Sequence, residues 1–327
     1  MSNLLQSIYN IQNSEDFEGI ALKIFDYQAS NNQVYKKFLE LLGTDVSAVD
    51  SITKIPFLPI GFYKNFVIQS GVWEGEKKFL SSGTTGSVPS VHHVRFLKDY
   101  HHQLDQSFKY FYGAYQDYII YPLLPGYAER QGSSLIAMVD HWMQQTKQSN
   151  KTYYIHNFQQ LHTDLQNHPK EKKAIVIGVT YALLDFAEQY SIPQAKTIVM
   201  ETGGMKGNRA EISKETLHHI LKEKLQIDEV HSEYGMTELL SQSYAKNSTY
   251  FQTPPWKKIL IREREDPMSY VESGKTGGIN VIDLANLHTC SFIATDDLGQ
   301  TNNQNQFKVL GRYQSSDVRG CNLMVLS

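Results

Sequence analysis

An unbroken apolar run that leads directly into a helical pattern constrains the fold of this chain more than any other feature. Residues 174–184 read AIVIGVTYALL, and such a run is typical of a parallel strand buried on both faces. A second run, TIVMETGG at 197–204, repeats the strand pattern further along the chain. Alternating buried strands and helices predict an α/β fold with a layered sheet.

Charge and hydropathy exclude two classes of protein. The 327 residues carry 31 Lys+Arg and 34 Asp+Glu, a formal net charge of -3, so the chain lacks the strong positive field of a nucleic-acid-binding protein. Residues 174–184 are the most apolar stretch, and they are far shorter than the roughly 20 residues that cross a bilayer. The chain has two cysteines, too few for a disulfide framework, and its N-terminus lacks a basic and apolar leader. Both features predict a cytoplasmic protein.

The periodicity divides the chain into three parts. Residues 1–54 carry apolar side chains at helical spacing and predict a helical N-terminal cap. Residues 55–248 alternate strands and helices and predict an α/β core. Residues 249–327 contain short strands separated by Gly, Asn and Asp, and they predict a β-rich subdomain with a terminal tail.

The first segment with chemical potential is SSGTTGS at residues 81–87, between two extended segments. Small residues let backbone N–H groups converge on an anion, and hydroxyls donate further hydrogen bonds, so this loop suits a phosphate. It lacks the Gly-Lys-Ser/Thr of a Walker A loop. The alternative is a plain hairpin turn, which residues of this kind form more often.

The second segment is SEYGMTE at residues 232–238, which follows a predicted strand. Ligands of α/β sheets bind outside the carboxyl ends of the strands. There Tyr234 suits the stacking of a base, Thr237 suits a phosphate contact, and the Glu238 carboxylate suits Mg²⁺. The alternative is a surface turn with a helix-capping threonine.

The third segment is ATDDLG at residues 294–299, followed by Gly311 and Arg312. An Asp at a strand end accepts hydrogen bonds from both hydroxyls of a ribose. An Asp-Asp pair before Leu-Gly is also typical of a β-turn, and a turn is favoured when the segment is considered alone.

Taken in order, these segments resemble the adenylate-forming superfamily of acyl-CoA synthetases, luciferases and nonribosomal adenylation domains. SSGTTG resembles its phosphate loop, YGMTE its adenine and Mg²⁺ motif, ATDDLG its ribose motif, and GRYQSSDVRG its hinge-entry motif. The intervening YPLLPGYAERQGSSL and METGGMKG resemble the LuxE-type acyl-protein synthetases, which serve a bacterial fatty-acid reductase. The implied fold is an α/β N-terminal-type core of an adenylate-forming enzyme, with two sheet subdomains and a C-terminal β subdomain, lacking the mobile C-terminal lid domain.

The resemblance implies ATP-dependent activation of a carboxylic acid, most naturally a fatty acid, as an acyl-adenylate with release of pyrophosphate and with Mg²⁺ as cofactor. It implies that the ATP phosphates are held by Ser82, Gly83, Thr84, Thr85 and Gly86. It implies that the adenine pocket is formed by Gly203, Gly204, Tyr234 and Gly235. It implies that Thr237 contacts the adenylate phosphate, that Glu238 binds Mg²⁺, and that Asp297 binds the ribose with help from Arg312.

Three features depart from the superfamily pattern. Ser90 follows Pro89 where a lysine is usual, Asp296 stands where a glycine is usual, and Gln314 and Ser315 follow the Gly-Arg pair where the hinge aspartate is usual. These departures leave a second reading open, in which the protein binds a nucleotide or an acyl-adenylate without catalysis and partners a reductase.

The acyl acceptor is the last question that the sequence raises. The resemblance implies transfer to a cysteine near the C-terminus, here Cys321, and Arg319 would favour its reactive thiolate. The alternatives are a buried, inert Cys321 and an external acceptor such as CoA, a carrier protein or a small molecule. Cys290 reads as a strand interior, without a role.

Charged and histidine side chains near these segments have weaker predictions. Lys206 and Arg209 are candidate cations of the site or solvated loop residues. The histidines form no zinc-binding pattern, and most are expected to be exposed or hydrogen-bonded. His141 and His231 are the two nearest the predicted pocket.

Overall fold

The computed structural model describes residues 2–82, 88–125, 131–155, 157–192, 196–203 and 212–313. The chain divides into two compact units. One contains the chain up to Val72 and from Pro255 onward, and the other contains Trp73–Pro254. Each unit has its own sheet and its own buried core.

The α-helices of the described residues are α1 (Ser2–Ile8), α2 (Ser14–Asn31), α3 (Gln33–Leu41), α4 (Phe62–Asn65), α5 (Leu97–Tyr112), α6 (Ser134–Gln145), α7 (Phe158–Gln166), α8 (Thr180–Ala187) and α9 (Lys214–Leu225). Short 3₁₀ turns lie at Val46–Ala48, Ile52–Lys54, Tyr115–Asp117 and Leu284–Asn286. The strands in the same ranges are β1 (Leu58–Pro59), β2 (Lys77–Leu80), β3 (Val91–Val94), β4 (Tyr118–Leu123), β5 (Lys173–Val179), β6 (Thr197–Thr202), β7 (Glu229–Tyr234), β8 (Ser243–Lys246), β9 (Lys257–Arg262), β10 (Gly277–Asp283), β11 (Phe292–Thr301) and β12 (Phe307–Arg312).

The unit Trp73–Pro254 is built on a sheet with the strand order β4-β5-β6-β7-β8. Strands β4 to β7 are parallel, and β8 runs antiparallel to β7. Every residue of β6 is buried, as is all of β5 after its first residue. A Cβ on Gly178 would lie 2.8 Å from Leu183, so this glycine lets α8 pack closely against β5. The α/β class predicted from the two apolar runs is confirmed.

The other unit is built on the sheet β1-β11-β10-β9, in which β12 also pairs with β11. Side chains of α2 tie the start of the chain to this sheet. The buried Gln28 donates from Nε2 to the carbonyl oxygens of Asn286 and Leu287, at 3.0 and 3.1 Å. The ring centroids of Phe25 and Phe292 lie 6.0 Å apart. The N-terminal helices therefore share a core with strands from the far end of the sequence.

The turn that composition favours for residues 294–299 is wrong, because these residues lie inside β11. Their backbone pairs with β10 and with β12, and these tertiary hydrogen bonds override the local turn preference. Successive side chains alternate between the two faces of a strand. Asp297 is buried and Asp296 is exposed, so the two neighbouring carboxylates point to different environments.

Among the described residues, none of the helices combines the length and the apolar character that a membrane span requires.

Candidate functional site

Polar residues gather where the parallel strands β5, β6 and β7 end. These strands end at Val179, Thr202 and Tyr234, and their register places the three ends along one edge of the sheet. Ligands of α/β sheets bind at this edge. The sequence-predicted Gly203 and Tyr234 both lie there.

A buried ion pair fixes the end of β6. Glu201 is 1% exposed, and its Oε1 pairs with Nζ of Lys214, the first residue of α9. Thr180 Oγ1 lies 3.3 Å from Glu201 Oε2 and 3.0 Å from the Gly203 carbonyl oxygen. Gly203 has a φ of +74°, a left-handed conformation that glycine adopts without strain. The backbone that leaves β6 is therefore turned and anchored at Gly203.

A second buried carboxylate, Glu233, joins the ends of β6 and β7. Its Oε2 accepts a hydrogen bond of 2.5 Å from the Thr202 hydroxyl. A Cβ on Gly235 would lie 2.5 Å from Glu233 Oε1, which explains why a glycine follows Tyr234. The Tyr234 ring packs against Phe251, with centroids 5.7 Å apart and planes at 55°. The sequence-predicted Tyr234 and Gly235 are thus held in place by their neighbours.

Thr237 and Glu238 are the two central residues of a tight turn. The Leu239 N–H closes this turn by donating to the Met236 carbonyl oxygen at 3.1 Å. Thr237 is half-buried, and Glu238 is 5% exposed. The chain then continues to β8 and not to a helix, so the helix-capping alternative for Thr237 is wrong. The predicted phosphate contact and the predicted Mg²⁺ ligand share one peptide unit.

His92 on β3 contacts this turn. Its Nδ1 lies 2.7 Å from the Thr237 carbonyl oxygen. A carbonyl oxygen only accepts hydrogen bonds, so Nδ1 carries the proton. Burial lowers the pKa of His92 to about 4, against the opposing effect of the hydrogen bond to Thr237. The imidazole is therefore neutral at pH 7.

The predicted phosphate loop begins at a closed hairpin neck, formed by Ser81 and Ser90 beyond the antiparallel pair of β2 and β3. The Ser81 N–H donates to the Ser90 carbonyl oxygen at 3.0 Å, and the Ser90 N–H donates to Ser81 Oγ at 2.8 Å. Ser82 is exposed just inside this neck, whereas Ser90 is buried. The predicted residues Gly83, Thr84, Thr85 and Gly86 lie outside the described residues.

In the other unit, Asp297 and Arg312 form an ion pair between β11 and β12. They are directly opposite in the register, and Arg312 Nε lies 3.0 Å from Asp297 Oδ1. The Asp297 side chain is 7% exposed and that of Arg312 is 77% exposed. The Asp297 N–H also donates to Thr295 Oγ1 at 3.2 Å. The side chain of Asp296, one of the three departures, is exposed and takes part in none of these contacts.

Mg²⁺ is the metal that the resemblance implies, and Glu238 is its predicted ligand. Within the described ranges, no group of three or more His, Cys, Asp or Glu side chains is arranged to hold a metal ion. Mg²⁺ in nucleotide sites takes one or two carboxylates and completes its shell with phosphate oxygens and waters. Glu238, beside Thr237 in the turn, is a donor of that kind.

Other predicted residues take structural contacts. His141 Nε2 lies 2.7 Å from Asp105 Oδ1, and His231 Nδ1 lies 3.2 Å from the Tyr112 hydroxyl oxygen. Cys290 is buried two residues before β11 and not within a strand; burial raises the pKa of its thiol to about 12. The residues Gly204, Lys206, Arg209, Gln314 and Cys321 lie outside the described residues.

A sequence model of the LuxE acyl-protein synthetases matches residues 130–327, well over half of the chain. The chain belongs to the LuxE acyl-protein synthetase family. The matched range includes the turn of Thr237 and Glu238, the ion pair of Asp297 and Arg312, and Cys321. The predicted phosphate loop of this LuxE-family chain lies before the matched range.

Solved structures of adenylate-forming ligases share the fold of this LuxE-family chain. 2-Hydroxyisobutyryl-CoA ligase, in the postadenylation state with 2-HIB-AMP, has a TM-score of 0.66 at 12% identity, over 92% of this chain and 69% of its own. ATP-bound MatB from Rhodopseudomonas palustris has a TM-score of 0.55 at 13% identity, over 72% of this chain. The match spans about half of the MatB chain, 47%. At such identities the likeness establishes the fold. No curated protein sequence matches the chain.

Sequence reasoning missed the side chains that hold the site of this LuxE-family member together. It assigns no role to Glu201, Lys214 or Glu233, and it expects no more of His92 than a hydrogen bond or exposure. The alternation in VHHV signals the burial of His92, because positions 92 and 94 share the buried face. The partner of His92 is 145 positions away, and no local pattern points to it.

Proposed function

We propose that this protein joins ATP and a carboxylic acid into an acyl-adenylate, releases pyrophosphate, and then transfers the acyl group to a thiol. The observation that carries the proposal is the position of the turn of Thr237 and Glu238. It follows the carboxyl end of β7 and is bonded to β3, the strand that leaves the predicted phosphate loop. Family membership supports the acyl chemistry, and the shared fold supports the nucleotide.

In the first half-reaction, a carboxylate oxygen of the acid attacks the α-phosphorus of ATP. A new oxygen–phosphorus bond forms, and the bond to pyrophosphate breaks. The attacking carboxylate is already ionised, so the step depends on aligned donors and positive charge near the phosphates and not on a general base. We assign the phosphate contacts to Thr237 and to the loop from Ser82 to Gly86. Asp297 receives the ribose, with Arg312 as the neighbouring cation.

The rest of the nucleotide is assigned to residues at the ends of β6 and β7. We assign the adenine pocket to Gly203, Gly204, Tyr234 and Gly235. The anchoring of Gly203 by Thr180 supports this assignment, because a fixed backbone lowers the entropic cost of binding. Glu238 is the residue proposed to hold Mg²⁺, which neutralises phosphate charge when it is bound.

In the second half-reaction, the thiolate of Cys321 attacks the carbonyl carbon of the acyl-adenylate. The carbon–sulfur bond of a thioester forms, and AMP leaves with the electron pair of the broken carbon–oxygen bond. The proposed acid is a fatty acid, and the proposed receiver of the thioester is an acyl reductase or an acyl carrier. The description of the family as acyl-protein synthetases supports a protein-bound acyl group.

The first experiment is ATP–pyrophosphate exchange against fatty acids of graded chain length and a panel of aryl acids. We expect exchange with at least one acid. It should fall at least about tenfold in Glu238→Gln and in Asp297→Asn, because each variant removes one charged contact to the nucleotide. A folded protein that binds ATP and shows no exchange with any acid would contradict adenylation.

The second experiment locates the acyl group. Radiolabelled acid and ATP should leave label on the denatured protein that hydroxylamine releases, and Cys321→Ser should abolish it. The chain has two cysteines, so Cys290→Ser is the matched control and should retain the label. Label that persists in Cys321→Ser would refute the assigned cysteine, and label that moves only to added CoA would identify CoA as the acceptor.

A further inference from the structure

The peptide between Thr237 and Glu238 is the central peptide of the turn that Met236 and Leu239 close. The two commonest types of β-turn differ mainly in the orientation of this one peptide, which is rotated by about 180° between them. Its rotation changes ψ of the residue before it and φ of the residue after it. The orientation of this peptide decides where the Thr237 carbonyl oxygen points, and a hydrogen bond to that oxygen fixes the turn that carries the Thr237 and Glu238 side chains.

Two features select one orientation. Glu238 is not among the non-glycine residues with positive φ, and the flipped turn would require a positive φ there, which side chains other than Gly and Asn rarely adopt. The second feature is His92, whose Nδ1–H donates to the carbonyl oxygen of this central peptide at 2.7 Å. After a flip, that oxygen would point away from His92 and the hydrogen bond would be lost.

His92 is built to serve as a fixed donor. It is 1% exposed, and its strand, β3, is paired along its length with β2. β3 begins at Val91, directly after Ser90 of the hairpin neck. One rigid strand therefore connects the base of the predicted phosphate loop with the turn that carries Thr237 and Glu238.

We propose that His92 is a positioning residue of the adenylation site: its Nδ1–H holds the Thr237–Glu238 peptide against β3 and thereby fixes the turn that presents both side chains to bound MgATP. The identity of the nucleotide rests on the proposed function, whereas the hydrogen bond and its effect on the turn do not. His92 touches neither substrate nor reacting atoms in this role, because its ring is buried beneath the turn.

Three variants separate positioning from a general effect on folding. His92→Asn keeps an N–H donor near the place of Nδ1, and His92→Phe keeps a ring of similar volume without a donor. His168→Phe is the matched control in the same unit, because His168 is also buried and hydrogen-bonds Tyr121 and the carbonyl oxygen of Lys172 at 2.9 and 3.0 Å. Neither of these two hydrogen bonds involves the turn of Thr237 and Glu238.

We expect His92→Phe to weaken the affinity for MgATP by up to about tenfold, the effect of one lost neutral hydrogen bond on the population of the correctly placed turn. It should raise the Mg²⁺ concentration for half-maximal exchange and leave KM for the acid unchanged. His92→Asn should stay within about threefold of wild type. His168→Phe should lower the melting temperature without changing exchange or MgATP affinity.

A structural readout tests the geometry without any activity. In ¹⁵N-histidine NMR spectra of the wild-type protein, His92 should appear as the neutral form protonated on Nδ1. A neutral His92 protonated on Nε2 would overturn the inference. The inference would also be overturned if His92→Phe showed the same exchange rate and MgATP affinity as wild type, and that result would leave the proposed function standing. A third outcome separates the two proposals. If no acid supports exchange, adenylation fails. The inference about His92 still stands in that case if His92→Phe weakens MgATP binding about tenfold and His92→Asn does not. A wild-type protein that does not bind MgATP overturns both.

Discussion

Lowering the pH from 7 to 5 should destabilise the unit Trp73–Pro254, because the unfolded chain then binds protons at histidines that stay neutral in the folded protein. His231, in the middle of β7, has a larger pKa shift than His92. Burial, followed by the charge of Lys246, lowers the pKa of His231 from 6.5 to about 3. The unfolded chain therefore binds this proton more readily, so the stability from the neutral imidazole is present above pH 6.5 and is lost as the pH falls.

The magnitude follows from those two pKa values. At pH 5, protonation of an imidazole with the ordinary pKa favours the unfolded chain by about 2 kcal/mol, and at pH 7 by about 0.2 kcal/mol. His231 alone should therefore remove about 2 kcal/mol from the free energy of unfolding between pH 7 and pH 5. His92, with a pKa lowered to about 4, adds a loss of similar size over the same interval.

The assay is equilibrium urea unfolding at both pH values in wild type and in His231→Gln. In a Trp256→Phe background, the two remaining tryptophans, Trp73 and Trp142, both belong to this unit and report its unfolding. The variant lacks the titrating group, so its loss of stability should be smaller than that of wild type by about 2 kcal/mol. An identical pH dependence in the two proteins would refute the reasoning.

Three further substitutions test contacts of the site. Gly235→Ala places a Cβ 2.5 Å from Glu233 Oε1 and should lower the free energy of unfolding, measured in urea, by about 1 kcal/mol, because Glu233 must shift away and weaken its hydrogen bond from Thr202. Lys214→Met leaves the buried Glu201 carboxylate without its cation and should cost about 3 kcal/mol in the same measurement. Asp297→Asn should change stability by less than about 1 kcal/mol, because its arginine partner is exposed, while KM for ATP rises about tenfold in the exchange assay.

Each of these substitutions has a control. Gly61→Ala meets no atom within 4 Å and has an ordinary φ of -58°, so it should leave stability unchanged. Adding Glu201→Gln to Lys214→Met removes the unpaired charge and should recover most of the loss. Equal stability of Lys214→Met and wild type would show that Glu201 is compensated from elsewhere. An unchanged KM in Asp297→Asn would remove this residue from the proposed ribose contact.

Local pattern is sufficient for the fold class and for several elements. The apolar runs predict β5 and β6, and the helical spacing in residues 1–54 predicts α2, because burial imposes a period on the apolar residues. At α9, Ser213 caps the helix by accepting a hydrogen bond from the Thr216 N–H. The four residues of β8 escaped notice because so short a strand carries too few positions for a period.

The residues of the candidate site also fall into two groups, those that local pattern predicts and those that it does not. The sequence predicts Tyr234, Thr237, Glu238 and Asp297 because motif residues are adjacent in sequence. The supporting contacts were not found, because they join distant segments: Thr202 meets a carboxylate 31 positions away. Only the folded backbone brings such pairs together. For the same reason local composition favours a turn at residues 294–299, where the structure has a strand. The strands that pair with these residues are not adjacent to them in sequence.

The bonds from Gln28 to the carbonyl oxygens of Asn286 and Leu287 have a consequence for the order of events during synthesis. Those carbonyls leave the ribosome some 260 residues after Gln28, at an elongation rate of about 5–20 residues per second. The buried face of α2 is therefore synthesised tens of seconds before the sheet that covers it. The unit Trp73–Pro254 is contiguous in sequence and is fully translated within that time. Pauses or chaperones acting on the nascent chain should matter most for residues 2–72, whose partners in this unit are translated only after Pro254.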